Sequence, residues 1–342
     1  MWSVSQIKWN ISLIAFILSL PTNFILIYLV VMKSPPKLGN YRHLMIYFAI
    51  MSMVLAWMNF VTQPYIMSEN RFILIMDIKD TVLENHPDLA LFLLALVCGS
   101  FEATIFVITI NFIFRYFALQ RAGRLKYFAG KLLYLWIISP FFFGGLSMAS
   151  TYYLGPRDSM TERLRIDANE MYDVDIDKAV YSGCYYYNID EFGNKSLNFK
   201  ELPATILLNL MTFSSFFSTF YFGYKSYKII KGLIAQGESE YSRNLQAQLY
   251  KALVVQTLIP IFFIFVPVIL YYISPYIGLC NHWSALLLQL LCELYPALDP
   301  IPIIFLVDDY RDAFLNFFRR VLSKNQLAAV QVYEPNQDSL AP

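Results

Sequence analysis

The sequence predicts an all-α membrane protein, a seven-transmembrane helix bundle with a cytoplasmic amphipathic helix and its N-terminus outside. Three observations predict it. Hydrophobic residues make up 57% of the chain and charged residues only 15%, against roughly 25% charged in an average soluble domain. The apolar residues gather in runs of about twenty or more, long enough to cross a bilayer as helices. Lys and Arg concentrate in alternate connections, the pattern that the positive-inside rule gives for an odd number of spans.

Residues 1–8 form a short head, and the first span follows at about 9–32. Its apolar stretch is too long for a signal peptide and lacks a small-residue cleavage site. A basic loop with Lys33, Lys37 and Arg42 leads to the second span, about 41–67, and a polar loop over Ser68–Pro87 to the third, about 88–114. The next loop carries Arg121, Arg124, Lys126 and Lys131 with no acid. The fourth span covers about 132–154, with Pro140 and Gly144-Gly145 inside it. A long acidic loop occupies 155–200, then come the fifth (202–224), sixth (249–274) and seventh (283–307) spans. Residues 308–322 alternate Phe and Leu with Arg, which predicts an amphipathic surface helix, and the polar tail 323–342 is expected to be disordered. No internal repeat is found.

The same loop charges place the tail in the cytoplasm. Both N-x-S/T sequons, at Asn10 and Asn194, fall on the predicted outer side. Asn10 lies too close to the bilayer to be a good acceptor, so Asn194 is the glycosylation candidate. Cys184 and Cys280, both in predicted outer loops, form a disulfide there or remain two separate thiols. A net charge of +1 argues against nucleic acid as partner. The four cysteines form no C-x-x-C pair and no zinc spacing with His, so no metal or cofactor is expected. No nucleophile, metal or phosphate-loop constellation appears, which predicts that the chain is not an enzyme.

Glu102 and Glu293 are acids in spans that offer no Lys or Arg. An unpaired buried carboxylate is expensive, so each is protonated, hydrogen-bonded or matched by something from outside the chain. Two readings stand open: they line a ligand cavity, or they are neutral hydrogen-bonders between helices. Helical spacing puts Cys98, Glu102, Ile105 and Thr109 on one face of the third span and Thr104, Ile108, Asn111 and Arg115 on nearly the opposite one. Polar atoms on both faces suit a helix surrounded by protein. Phe101, Tyr271 and Gln289 are further cavity candidates, as are Trp57 and Tyr65. Arg115, next to Tyr116, sits at the predicted cytoplasmic edge, where it either contacts a partner or snorkels. Asp299-Pro300 in the seventh span predicts a kink with a polar group at the freed backbone, and Pro260 and Pro267 mark flex points or static bends in the sixth.

Asn23, Phe114-Arg115-Tyr116 and Asp299-Pro300 resemble the anchor positions of rhodopsin-like G-protein-coupled receptors. Several runs resemble, more narrowly, the Str group of nematode seven-transmembrane chemoreceptors (serpentine receptor class r). These are Tyr41-Arg42-His43-Leu44-Met45-Ile46, Phe112 to Leu119, Gln256-Thr257-Leu258-Ile259-Pro260 and Ala297-Leu298-Asp299-Pro300, with Asp309-Tyr310-Arg311 after them. The resemblance implies a chemosensory receptor in the plasma membrane, in the cilia of sensory neurons, that binds a small odorant-type molecule and activates a heterotrimeric G protein. It implies that Arg115, Tyr116, Pro260, Pro267, Asp299 and Pro300 serve activation and coupling, with Asn23 a helix-packing anchor. The chain departs from the broader receptor pattern at four points. Phe114 precedes Arg115 where an acid is usual, Ser52 stands where a buried Asp is usual, Ile303 replaces a tyrosine, and no cysteine opens the third span. The alternatives are a ligand-gated cation channel of the insect olfactory type, with the opposite orientation, and a small-solute transporter.

Overall fold

Helical hydrogen bonding, unlike a hydropathy count, does not stop at the first charge, and several helices here outrun their apolar cores. The computed structural model describes residues 4–34, 41–68, 71–120, 124–156, 158–189, 195–235, 254–277, 282–317 and 319. Among these, seven helices are long and apolar enough to cross a membrane: Ser5–Lys33, Tyr41–Thr62, Pro87–Leu119, Lys131–Tyr153, Leu202–Gly232, Val254–Ser274 and Trp283–Leu306. In chain order they are the first to seventh spans. The third is the most enclosed of the seven, with the largest share of buried residues.

The boundaries differ from the expected ones in instructive ways. Helix starts at Val4, so most of the expected head belongs to the first span. The second span ends at Thr62 rather than near 67: Gln63 turns to a φ of 43° before Pro64, and a residue preceding proline is disfavoured in the α region. The third continues through Arg115 to Leu119, and the fifth runs on to Ala235. The seventh is broken at one residue, as helix His282–Leu298 followed by Pro300–Leu306. Residues 308–317 form the final helix, which docks through buried Tyr310 and through Phe314 on a cluster with Leu26, Leu29, Val30 and Ile304.

The two connections expected as loops are largely ordered secondary structure. Strands β1 (Tyr65–Met67), β2 (Arg71–Asp77) and β3 (Ala179–Tyr185) form an antiparallel sheet with β2 in the centre. Strand β2 is apolar on both faces, as a strand covered on both sides must be. Phe72 and Leu74 face the bundle. Ile73 and Ile75 face a capping helix, Asp158–Tyr172, which presents Met160, Leu164, Ala168 and Tyr172 at helical spacing. Arg71 and Asp167 form an ion pair across this interface, and the Tyr172 hydroxyl donates to Ile66 O at 2.9 Å. Gly183 lies opposite Ile73 with φ of 151°, and a Cβ there would meet Phe72 O at 2.1 Å. Only glycine fits, and its N–H bonds Leu154 O at 2.9 Å, tying the sheet to the end of the fourth span. A short pair, β4 (Tyr187–Ile189) and β5 (Lys195–Leu197), follows. The sheet and capping helix form a roof over one end of the bundle.

Candidate functional site

Beneath the roof lies a cavity of about 100 Å³. The third span supplies Cys98, Phe101 and Glu102 to its wall, the sixth Tyr271 and Tyr272, the seventh Gln289, Cys292 and Glu293, and the roof Ile66, Phe72 and Leu74. The structure thus brings together all six residues expected to contact ligand: Cys98, Phe101, Glu102, Tyr271, Gln289 and Glu293. Of the two further aromatics, Trp57 is 54% exposed on the bundle exterior and Tyr65 packs against the capping helix, so neither enters the cavity wall.

The two carboxylates have different surroundings. Glu293 accepts from Ser12 through Oε2, and through Oε1 from Gln289 Nε2 at 3.0 Å. Gln289 also donates to Pro64 O, at the base of the roof. The Lys8 ammonium, buried in the first span, donates to Gln63 O at 2.6 Å and sits 4.3 Å over the Tyr65 ring. With residues 1–8 expected as a head, the first span is expected to hold no cation. The helix start at Val4 corrects that, because it carries Lys8 into the first span. A sequence signal for it exists: Lys8, Ser12, Ser19 and Asn23 recur at helical spacing in an apolar helix, and all are buried. Among the described residues Glu102, 2% exposed, accepts only from Thr212 Oγ1 at 3.3 Å through Oε2.

A second cavity of about 20 Å³, room for about one water molecule, lies further along the third span. Tyr41, Ser52, Asn111, Gln256, Tyr295 and Asp299 face it. Arg115 Nε donates to Tyr41 Oη at 2.9 Å and to Asn111 Oδ1 at 3.2 Å, and Nη2 to Tyr41 Oη at 2.6 Å. The arginine is therefore held by a phenol and an amide on the cavity wall. Tyr116 packs on Phe222 of the fifth span, ring centroids 5.3 Å apart.

Prolines shape the sixth and seventh spans. Pro300 has no N–H, so Pro296 O, four residues back, loses its helical donor; Asn23 Nδ2 replaces it at 2.8 Å. Asn23 thus joins the first span to the seventh beside the break at Asp299. In the sixth span Ile261–Phe265 is a π-helix set between Pro260 and Pro267. Proline in a helix clashes with the carbonyl four residues back, here Phe263 O for Pro267, and the wider π turn accommodates it. Cys184 is buried in β3 with its sulfur 3.1 Å from Thr205 Oγ1; Cys280 and Asn194 lie outside the described residues.

Comparison with known proteins places this geometry in a family. Residues 8–315 match the serpentine-type seven-transmembrane G-protein-coupled chemoreceptors Str. Serpentine receptor class r-10 of Caenorhabditis briggsae is 27% identical over 309 residues, 90% of this chain and 89% of that protein. G-protein coupled receptor str-217 of Caenorhabditis elegans is 27% identical over 317 residues, again 90% and 89%. Serpentine receptor class r-10 of Caenorhabditis elegans is 28% identical over 283 residues, 82% of each chain. This chain belongs to the Str family of serpentine chemoreceptors: it is a seven-helix, multi-pass membrane receptor of the G-protein-coupled type, and not an enzyme.

Proposed function

We propose that the receptor binds a small environmental molecule in the cavity under the roof and activates a heterotrimeric G protein at the opposite end of the bundle. The observation that carries this is the wall of the larger cavity, where the third, sixth and seventh spans converge on Glu102, Gln289 and Glu293 amid aromatic rings. Concave, mostly apolar sites with a few converging polar groups are the usual form of small-molecule sites. In this reading the roof is extracellular, the Arg115 end is cytoplasmic, and the receptor sits in the ciliary membrane of sensory neurons. A ligand between the third and sixth spans changes the packing of Tyr271 and Tyr272. The π segment and its two prolines give the sixth span the freedom to pivot, and the movement reaches the wall that holds Arg115. Arg115 then leaves Tyr41 and meets the G protein with Tyr116 and the basic loops. A population shift of this kind needs a ligand that binds the active arrangement more tightly than the resting one.

The test is expression in cultured cells with an epitope tag at each terminus, a volatile-compound panel, and a G-protein dissociation readout. An accessible N-terminus, a glycosidase shift abolished by Asn194→Gln, and a ligand response absent in Arg115→Ala at equal surface level are expected. A hidden N-terminus, or ligand-gated current that persists without G protein, would overturn the reading in favour of a channel.

A further inference from the structure

The cavity has one carboxylate too many for the donors around it. Glu293 is satisfied through both oxygens, by Ser12 and Gln289. Glu102 is different. Its side chain lines the cavity; among the described residues its Oε1 is buried with no hydrogen-bond partner, and its Oε2 has only the 3.3 Å bond from Thr212. An ionised carboxylate without a counter-charge in such a place costs far more than one with a partner. The surrounding groups favour a cation as that partner. Phe72, Phe101, Tyr271 and Tyr272 line the same cavity, with Phe72 and Tyr272 ring centroids 5.1 Å apart, and ring faces attract ammonium groups. Leu208, Val268 and Val97 add an aliphatic part to the wall, and Asn59, Ser147 and Thr151 add neutral polar groups that supply no counter-charge. A cavity of about 100 Å³ is smaller than the ~150 Å³ that accepts benzene, so the occupant has few heavy atoms.

We propose that the ligand class of this receptor is the small primary alkylamines, with the ammonium paired to Glu102 Oε1 and the alkyl chain against Leu208 and Val268. The inference rests on the reading of this cavity as the ligand site and adds the chemistry of what fills it. Glu102 is then the specificity residue, and because Glu293 already has a donor at each oxygen, one carboxylate is left for the ligand, which carries one charge.

The experiment measures binding directly, as ligand-induced thermal stabilisation of the full-length receptor in lipid nanodiscs. The probes are propylamine and butylamine and the matching alcohols, propanol and butanol. Amines bind the wild type at least tenfold more tightly than the alcohols of equal length. In Glu102→Gln amine affinity falls roughly tenfold to a hundredfold, the range for a lost bond to a charged group, while the weak alcohol affinity changes less than about threefold. Equal or tighter binding of the alcohols by the wild type overturns the proposal, and this comparison needs no variant to fold. Unchanged amine affinity in Glu102→Gln overturns it too, as does absence of binding by both series. In each case a neutral ketone or ester that activates the receptor in the cell assay leaves the proposed receptor function standing.

Discussion

Arg115 and Tyr41 share a double contact: both Nε and Nη2 of the arginine donate to the tyrosine hydroxyl, at 2.9 and 2.6 Å. The guanidinium also lies 5.6 Å from the Tyr41 ring centroid, and Tyr41 in turn stacks on Phe114. The tyrosine therefore takes the place that a neighbouring acid would hold, with no second charge. The Tyr41 oxygen takes two of the three hydrogen bonds that hold Arg115, and Asn111 Oδ1 takes the third at 3.2 Å.

Tyr41→Phe removes that oxygen and keeps the ring. Bonds to a charged group are worth roughly 1.5–3 kcal/mol, which is about tenfold or more in a two-state equilibrium. Basal G-protein activation per surface receptor should rise several-fold, measured without ligand against a tag-based surface count. Basal activity equal to wild type would show that the Arg115–Tyr41 contact does not restrain the resting state.

Asn23→Ala leaves Pro296 O without the donor that replaced the missing proline N–H. Hydrogen bonds between membrane helices average roughly 0.6 kcal/mol and reach about 1.7 kcal/mol. This one should fall at the upper end, because its acceptor has no alternative in the helix. The expected outcome is a melting temperature lowered by a few degrees in nanodiscs. Asn23→Asp, which keeps an acceptor but loses the amide donor, should fail to restore it.

Gly99 and Gly144 meet backbone to backbone where the third and fourth spans cross. A Cβ at Gly99 would lie 2.8 Å from Gly144 O, and one at Gly144 would lie 2.7 Å from Gly99 O. Neither carbonyl can swing aside as a side chain would, so Gly99→Ala or Gly144→Ala should destabilise by roughly 1–3 kcal/mol and reduce surface yield. Gly145→Ala meets nothing within 4 Å and should be neutral or slightly stabilising. The same thermal denaturation assay compares all three, and equal effects would refute the close-crossing explanation.

Glu84 and Lys178 form an exposed pair at 3.1 Å that ties the short 82–85 turn to the start of β3. The Lys178 bond holds the Glu84 carboxyl below its ordinary 4.5, and the Glu84 bond holds Lys178 above its ordinary 10.5. The acid's contribution is present above 4.5 and lost as pH falls through its lowered value. That of the lysine is present below 10.5 and lost as pH rises through its raised value. Amide exchange protection of the 82–85 turn should therefore weaken below about pH 4.5 in the wild type but not in Glu84→Gln, while global stability barely moves, since exposed pairs contribute little.

The seven spans are legible in the sequence because a bilayer imposes a crude requirement, apolar length, that any helix crossing it must meet. The cavity candidates are legible for a related reason: acids and glutamine are rare in spans, so Glu102, Gln289 and Glu293 stand out against an apolar background. The roof is harder to see, because Ser68–Pro87 looks like a loop by its polar ends. Yet Phe72 to Met76 is an apolar run bounded by polar and charged residues, the pattern of a strand buried on both faces. Lys8 is hidden as long as its charge counts toward a loop. Placed on the buried stripe that Ser12, Ser19 and Asn23 define, it belongs to the first span.

By itself the sequence determined the fold class, the order and number of the spans, and which few polar residues lie within them, since these follow from local composition and from the family resemblance over most of the chain. Only the tertiary structure decided which polar atoms meet. Ser12 and Glu293 stand 281 positions apart, Asn23 and Pro296 stand 273 apart, and no local pattern encodes such contacts. They exist because the first and seventh spans pack side by side, where each buried donor must find an acceptor without water. The same packing satisfied Glu293 and left Glu102, on the cavity wall, with an oxygen that has no partner among the described residues.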